Sequence, residues 1–155
     1  IVSLHRFETI FKKEKLEVVV KEIKKIADKI KIFFILHPPT RVSLKKNNLY
    51  ENLEKNPRCV LLPRQGFFEF NNLLVKAEFL ITDGGSNQEE CFYLGTPCLL
   101  FRSETERSEG IGENVVISNF DPTIIENFVL NYNSYRRQPI PATFSPSRFI
   151  VDQLT

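Results

Sequence analysis

Two adjacent carboxylates, Glu89 and Glu90, stand just behind the corner Asp83-Gly84-Gly85-Ser86, and Arg107 follows in a charged loop that begins at Arg102. A corner between a strand and a helix needs residues that accept positive φ and close approach, and Gly84 and Gly85 are expected to supply both. Ser86 and Glu89 have the spacing of a capping box, with Ser86 at the N-cap and Glu89 reaching back to it. Glu90 lies about 100° further round the helix and is left for another task. A carboxylate there can accept two hydrogen bonds from a vicinal diol such as a ribose. The N–H groups of the helix start form a natural phosphate site, and Arg107 offers a bidentate cation to a pyrophosphate. The same pattern also describes a glycine turn, a capped helix and a solvated Glu-Arg loop. Gly-Gly-Ser is neither G-x-G-x-x-G nor a P-loop.

The surrounding elements follow from hydrophobic periodicity. Ile1–Leu4 is a short strand. Leu16, Val19, Val20, Ile23, Ile26, Ala27 and Ile30 recur at three and four residues, which predicts an amphipathic helix. Its lysines, diluted by Glu17, Glu22 and Asp28, read as a solvated face. Lys31–Leu36 is apolar on both parities, as a strand covered on both faces should be, and His37-Pro-Pro-Thr-Arg ends it. Residues Leu44–Lys55 read as one weak polar helix. Cys59–Leu62 is a third strand, and Phe67, Phe70, Leu73, Leu74 and Ala77 mark a helix face. Glu78–Thr82 is a fourth strand, followed by a helix over Asn87–Leu94 with Gly95 at its C-terminal cap. Pro97–Phe101 and Asn114–Ile117 are the fifth and sixth strands. Asp121-Pro122 opens a helix, Asn133–Phe144 is a connector, and Ser145-Pro146 opens a last helix.

Short apolar strands alternating with helices predict an α/β doubly wound, mostly parallel six-stranded sheet in the order 3-2-1-4-5-6. Ligands of such sheets bind beyond the carboxyl ends of the strands. Polar clusters fall at those ends: His5-Arg6-Phe7-Glu8, His37-Pro-Pro-Thr-Arg41, the Asp83–Glu90 stretch and Arg102–Arg107.

Composition narrows the function classes. The 155 residues suffice for one domain; they are 42% hydrophobic and 26% charged, with a net charge of +2. A domain of this size buries roughly 70% of its unfolded surface. The small net charge gives no reason to expect nucleic acid, and the longest apolar run, Ile32–Leu36, is far too short to span a bilayer. Cys59, Cys91 and Cys98 form no C-x-x-C pair, which favours free thiols in a reducing, cytoplasmic setting. No His/Cys cluster suggests a metal, and no cofactor is expected. There is no signal-peptide pattern at the start and no Met anywhere in the chain; the chain is expected to be a fragment or a processed piece.

The stretch Thr82-Asp-Gly-Gly-Ser-Asn-Gln-Glu-Glu90, then Leu94-Gly-Thr-Pro97, then Arg102–Glu109 resembles the signature of the UDP-N-acetylglucosamine 2-epimerase family, in its non-hydrolysing form. Leu4-His-Arg-Phe-Glu-Thr9 resembles the family segment after the first strand of the C-terminal domain, and His37-Pro-Pro-Thr40 resembles its H-x-N-P loop. Two departures stand out. Gly-Gly-Ser replaces the family's Ser-Gly-Gly, so Gly84 lacks a hydroxyl that Ser86 would have to supply, and Thr9 replaces an Asn.

The resemblance implies one half of a glycosyltransferase-B-like fold of two Rossmann-like domains. Residues 1–155 would be the UDP-binding C-terminal domain, the N-terminal domain being absent from this chain. By position, Glu90 would hold the ribose hydroxyls. Gly84, Gly85 and Ser86 would meet the diphosphate with their N–H groups, Arg107 would sit at the same end, and Asp83 would brace the corner. His5 would be the catalytic histidine, accompanied by Arg6 and Glu8, with His37 a second histidine near the nucleotide. Phe67 and Phe70 match aromatic positions on the helix before the signature, and Arg6, His37 and Phe67 would join the UDP-binding residues.

The implied chemistry is UDP elimination with loss of the C2 proton to give a glycal, then reprotonation on the opposite face and readdition of UDP, interconverting UDP-GlcNAc and UDP-ManNAc. The alternatives carried beside it are a hydrolysing 2-epimerase, a glycosyltransferase-B nucleotide-binding domain, and a nucleotide-binding module with no chemistry of its own. Implied partners are UDP-N-acetylglucosamine or UDP, the missing domain and a second copy in a homodimer; nucleic acid and membrane are not among them. The last helix, with Phe149, Ile150 and Leu154, is expected to be loosely held or covered by another copy.

Overall fold

Among the described residues six short strands form one sheet: β1 (Val2–Leu4), β2 (Ile32–Leu36), β3 (Cys59–Pro63), β4 (Leu80–Thr82), β5 (Cys98–Leu100) and β6 (Val115–Ile117). They pair side by side in the order β3-β2-β1-β4-β5-β6, every neighbouring pair parallel. This computed structural model describes residues 1–141 and 146–154. The predicted strand order holds, because parallel neighbours need crossover helices and the sequence alternates the two.

Period-two alternation divides the core between the faces. Val2, Leu4, Phe34, Leu36, Ile81 and Leu99 face one helix layer, with the buried stripe of α2 (Lys13–Ala27) and with Ile125 and Phe128 of α7 (Pro122–Asn131). Ile35, Leu80, Cys98 and Leu100 face the other, against Phe70 and Leu74 of α5 (Phe67–Val75) and Cys91 of α6 (Gly85–Leu94). All three cysteines are free and buried.

Several local expectations change. Glu22, read as part of the solvated face of α2, is buried and ion-paired with Lys25 Nζ at 2.7 Å. The single helix expected over 44–55 is two: α3 (Pro38–Lys46) and α4 (Tyr50–Glu54), separated at Asn48 with φ 58°. The two prolines that end β2 also start α3, because the first turn leaves its N–H groups unpaired anyway. A one-turn helix α1 (Phe7–Ile10) follows β1, too short to leave a periodic signal.

Two helix ends match the sequence, while the expected connector opens with a one-turn 3-10 helix over Tyr132–Tyr135. Asp121 caps α7 through Thr123 N at 2.7 Å. Gly95 closes α6 in the left-handed region, φ 68°, where a side chain would also collide with the Arg137 carbonyl. Helix α8 spans Pro146–Leu154, with Phe149, Ile150 and Leu154 exposed. The Ser145 cap and residues 142–144 of the connector lie outside the described residues.

Candidate functional site

Strand order reverses between β1 and β4, whose carboxyl ends lead into His5 and Asp83. Asp83 is fully buried, and its carboxylate joins the two strand ends. It accepts from His5 N at 3.0 and 3.2 Å and from Arg6 N at 3.0 Å. Its Oδ1 also lies 3.5 Å from His5 Nδ1. The loop after β1 is thereby locked beside the start of α6. This is the bracing role expected of Asp83, and it fixes where the His5 ring stands.

Helix α6 starts earlier than expected, at Gly85, with Gly84 as N-cap and no side chain capping it. The proposed capping box is therefore absent. Ser86 is the second helical residue, exposed to solvent. Gly84 has φ −91°, and neither Gly84 nor Gly85 takes a positive φ, so their value here is space. A Cβ on Gly84 would lie 2.9 Å from His5 Cε1, and one on Gly85 2.9 Å from Arg107 Nε and 3.0 Å from Glu106 Oε1. The first-turn N–H groups of Gly85, Ser86 and Asn87 precede the first possible intrahelical acceptor, so they remain for a ligand.

Glu89 does not cap the helix; it pairs with Arg107. Glu90 accepts from Asn87 Nδ2 at 2.9 Å. Gln88, wholly buried, holds the following loop in place. Its Nε2 donates to the carbonyls of Arg107 at 3.2 Å and Glu109 at 2.8 Å, and its Oε1 accepts from Thr105 Oγ1 at 2.8 Å. Arg102, mostly buried, binds Glu106 Oε2 at 2.8 Å. That bond, more than any other contact, holds the Glu106 carboxyl down to about 2. Arg6 Nε donates to Glu8 Oε1 at 2.6 Å and its guanidinium lies 3.6 Å from Glu106 Oε1.

The His5 and His37 rings face each other with centroids 4.8 Å apart. Burial lowers the His37 pKa from its ordinary value, aided by the neighbouring His5 and Arg64. His37 Nε2 lies 3.3 Å from Ser3 Oγ on β1.

These groups surround one open cleft of about 440 Å³. His5, Arg6, His37, Phe67, Gly84, Gly85, Ser86, Glu90 and Arg107, the nine site residues proposed from sequence, all line it. They follow five strands: β1, β2, β3 and β4 supply His5 and Arg6, His37, Phe67, and the α6 group, and Arg107 arrives from the loop after β5. Sequence reasoning gave no role to Asn87, Arg64 or Glu106, which also line the cleft. Arg64 follows β3 directly, so the rule that found the other strand-end clusters would have found it. Among the described residues no group of three or more His, Cys, Asp or Glu side chains could hold a metal ion.

The sequence profile described as UDP-N-acetylglucosamine 2-epimerase matches residues 1–138. The chain belongs to the UDP-N-acetylglucosamine 2-epimerase family. It is 34% identical over 146 residues to a UDP-N-acetylglucosamine 2-epimerase of Methanocaldococcus jannaschii, covering 91% of this chain and 40% of the relative. A Methanococcus maripaludis UDP-N-acetylglucosamine 2-epimerase is 36% identical over 132 residues, 83% of this chain and 36% of the relative. The structure of the Methanocaldococcus UDP-GlcNAc 2-epimerase in complex with UDP-GlcNAc and UDP superposes with a TM-score of 0.82 at 31% identity, covering 99% of this chain and 44% of that one. The chain thus spans well under half the length of the family members it matches. No helix among the described residues is long and apolar enough to cross a membrane.

Proposed function

We propose that residues 1–155 form the UDP-binding C-terminal domain of a UDP-N-acetylglucosamine 2-epimerase. The observation that carries this reading is the convergence of the nine predicted site residues on one cleft at the sheet's switch point. In this reading the first-turn N–H groups of α6 and Arg107 hold the diphosphate, Glu90 accepts from the ribose diol, and Phe67 borders the nucleotide. The complex of a family member with UDP-GlcNAc and UDP supports the ligand class.

The reaction is elimination and readdition. A base removes the C2 proton of the sugar as the C1–O bond to UDP breaks, leaving a glycal. Protonation of C2 on the opposite face and return of UDP to C1 give the epimer. The departing diphosphate gains negative charge, and fixed N–H dipoles and an arginine stabilise it most when that charge develops. His5, beside the buried Asp83, stands on one wall of the cleft. An acid and a base on opposite faces of C2 require two walls, so the second wall belongs to the rest of the protein. Closure of the two excludes water from the glycal. The three buried free thiols support a reducing, cytoplasmic setting.

The test is calorimetric UDP binding and UDP-GlcNAc epimerisation measured on this chain under the same conditions. Binding without turnover is the expected result. Failure to bind UDP would overturn the assignment, and turnover would mean that both catalytic walls lie within these residues.

A further inference from the structure

Asn87 lines the cleft between the corner glycines and Glu90, and its amide is held from both ends. Gly84 N donates to Thr82 Oγ1 at 3.1 Å. The Thr82 hydroxyl thus has an acceptor role already filled, and its own hydrogen is available for Asn87 Oδ1, 3.0 Å away. That bond fixes the amide orientation and leaves Nδ2 to donate to Glu90 Oε2 at 2.9 Å. The flipped amide would set Oδ1 against the carboxylate, an oxygen facing an oxygen with no hydrogen between them. Thr82 is fully buried at the end of β4. The Glu90 carboxylate is therefore tied, through one amide and one hydroxyl, to the rigid sheet.

We infer that Asn87 is a positioning residue: it presets Glu90 for a vicinal diol by consuming one hydrogen-bonding site of Oε2 and leaving Oε1 to accept. Asn87 and Glu90 are three residues apart on one helix, so their side chains are neighbours. An untethered glutamate would sample several rotamers and give up that freedom on binding; the Asn87 bond removes part of the cost in advance. The inference rests on the proposed ribose role of Glu90.

The test separates positioning from a bracing role at the corner. Asn87→Asp keeps an oxygen for the Thr82 hydroxyl and replaces the donor to Glu90 with a second carboxylate. UDP and 2′-deoxy-UDP affinities are measured by calorimetry on the wild-type chain, on N87D and on Asn87→Ala. The wild-type chain should prefer UDP by about tenfold or more, the scale of a hydrogen bond to a charged group. In N87D, with the thermal midpoint little changed, that preference should fall to about threefold or less on the same scale. N87A should lose it as well, and it carries the test if N87D does not fold. A wild-type chain indifferent to the 2′-hydroxyl would refute the ribose role of Glu90 and take the inference with it. A wild-type preference retained undiminished in the variants would overturn the positioning role alone.

Discussion

The His5 ring fills the room that a side chain on Gly84 would need, with His5 Cε1 2.9 Å from the position of a Cβ there. Both residues are set by Asp83, which adjoins Gly84 in the chain and binds His5 N at 3.0 Å. Gly84→Ala should therefore push the ring away, disturbing its 4.8 Å contact with His37, without straining a backbone whose φ is −91°. The His5 ring resonances in an NMR spectrum should shift while the fold is retained. Unchanged resonances would show that the ring does not rest on Gly84.

The two neighbouring glutamates should separate cleanly. Glu90→Ala should weaken UDP binding by about 1.5–3 kcal/mol, the worth of hydrogen bonds to a charged group. Glu89 pairs with Arg107 at a partly exposed site, so Glu89→Ala should change stability by less than about 1 kcal/mol. Calorimetry and urea unfolding on both variants check this. UDP affinity unaffected by Glu90→Ala would contradict the ribose role proposed for it.

Asp83→Asn replaces a buried acceptor with a group that is half donor, facing the N–H groups of His5 and Arg6. The expected loss is about 1–3 kcal/mol, the cost of leaving buried partners unsatisfied. Urea denaturation should show a lower midpoint with an unchanged slope. A loss near zero would mean that the strand ends are held by other contacts.

His37 gives a pH signature. Its folded pKa lies below 6.5, so between that folded value and 6.5 the unfolded chain binds more protons than the folded one. Its contribution to stability is accordingly constant above 6.5 and declines as pH falls through that window. Chemical denaturation of the wild-type chain and His37→Gln, compared from about pH 7.5 down to about pH 5, should show the difference shrinking on acidification. A difference that grows instead would contradict a half-buried ring held in its neutral form.

The sheet was legible because each strand is a short run of apolar residues bounded by Gly, Pro or charged residues, and because the rule relating strand order to crossover helices leaves few topologies. The gathering of site residues was legible for the same reason: strand ends predict the cleft before any side chain is placed. What escaped were side-chain partnerships. Ser86 and Glu89 have the spacing of a capping box, but the helix begins at Gly85, one residue before Ser86, and Arg107 takes Glu89 instead. Glu22 sits among lysines in sequence yet is buried, because α2 turns it toward α7, where it lines a pocket with Pro122 and Ile125, and Lys25 pairs with it. Such choices depend on which distant residue arrives, and local spacing does not carry that information.

Strand β1 lies in the interior of the sheet, and its bond to β4 joins segments 78 residues apart, as between Ile1 and Phe79 and between His5 and Asp83. A nascent chain that has emerged only as far as β3 can pair β2 with both of its neighbours, but it presents β1 as an open edge. An unpaired edge strand is a template for association with other chains, and contacts this distant in sequence close slowly. Nucleotide binding, proposed to occur in the cleft between the end of β1 and the α6 corner, would then be a gauge of completed topology. Truncation before β4 should yield a sticky intermediate that no amount of UDP can rescue.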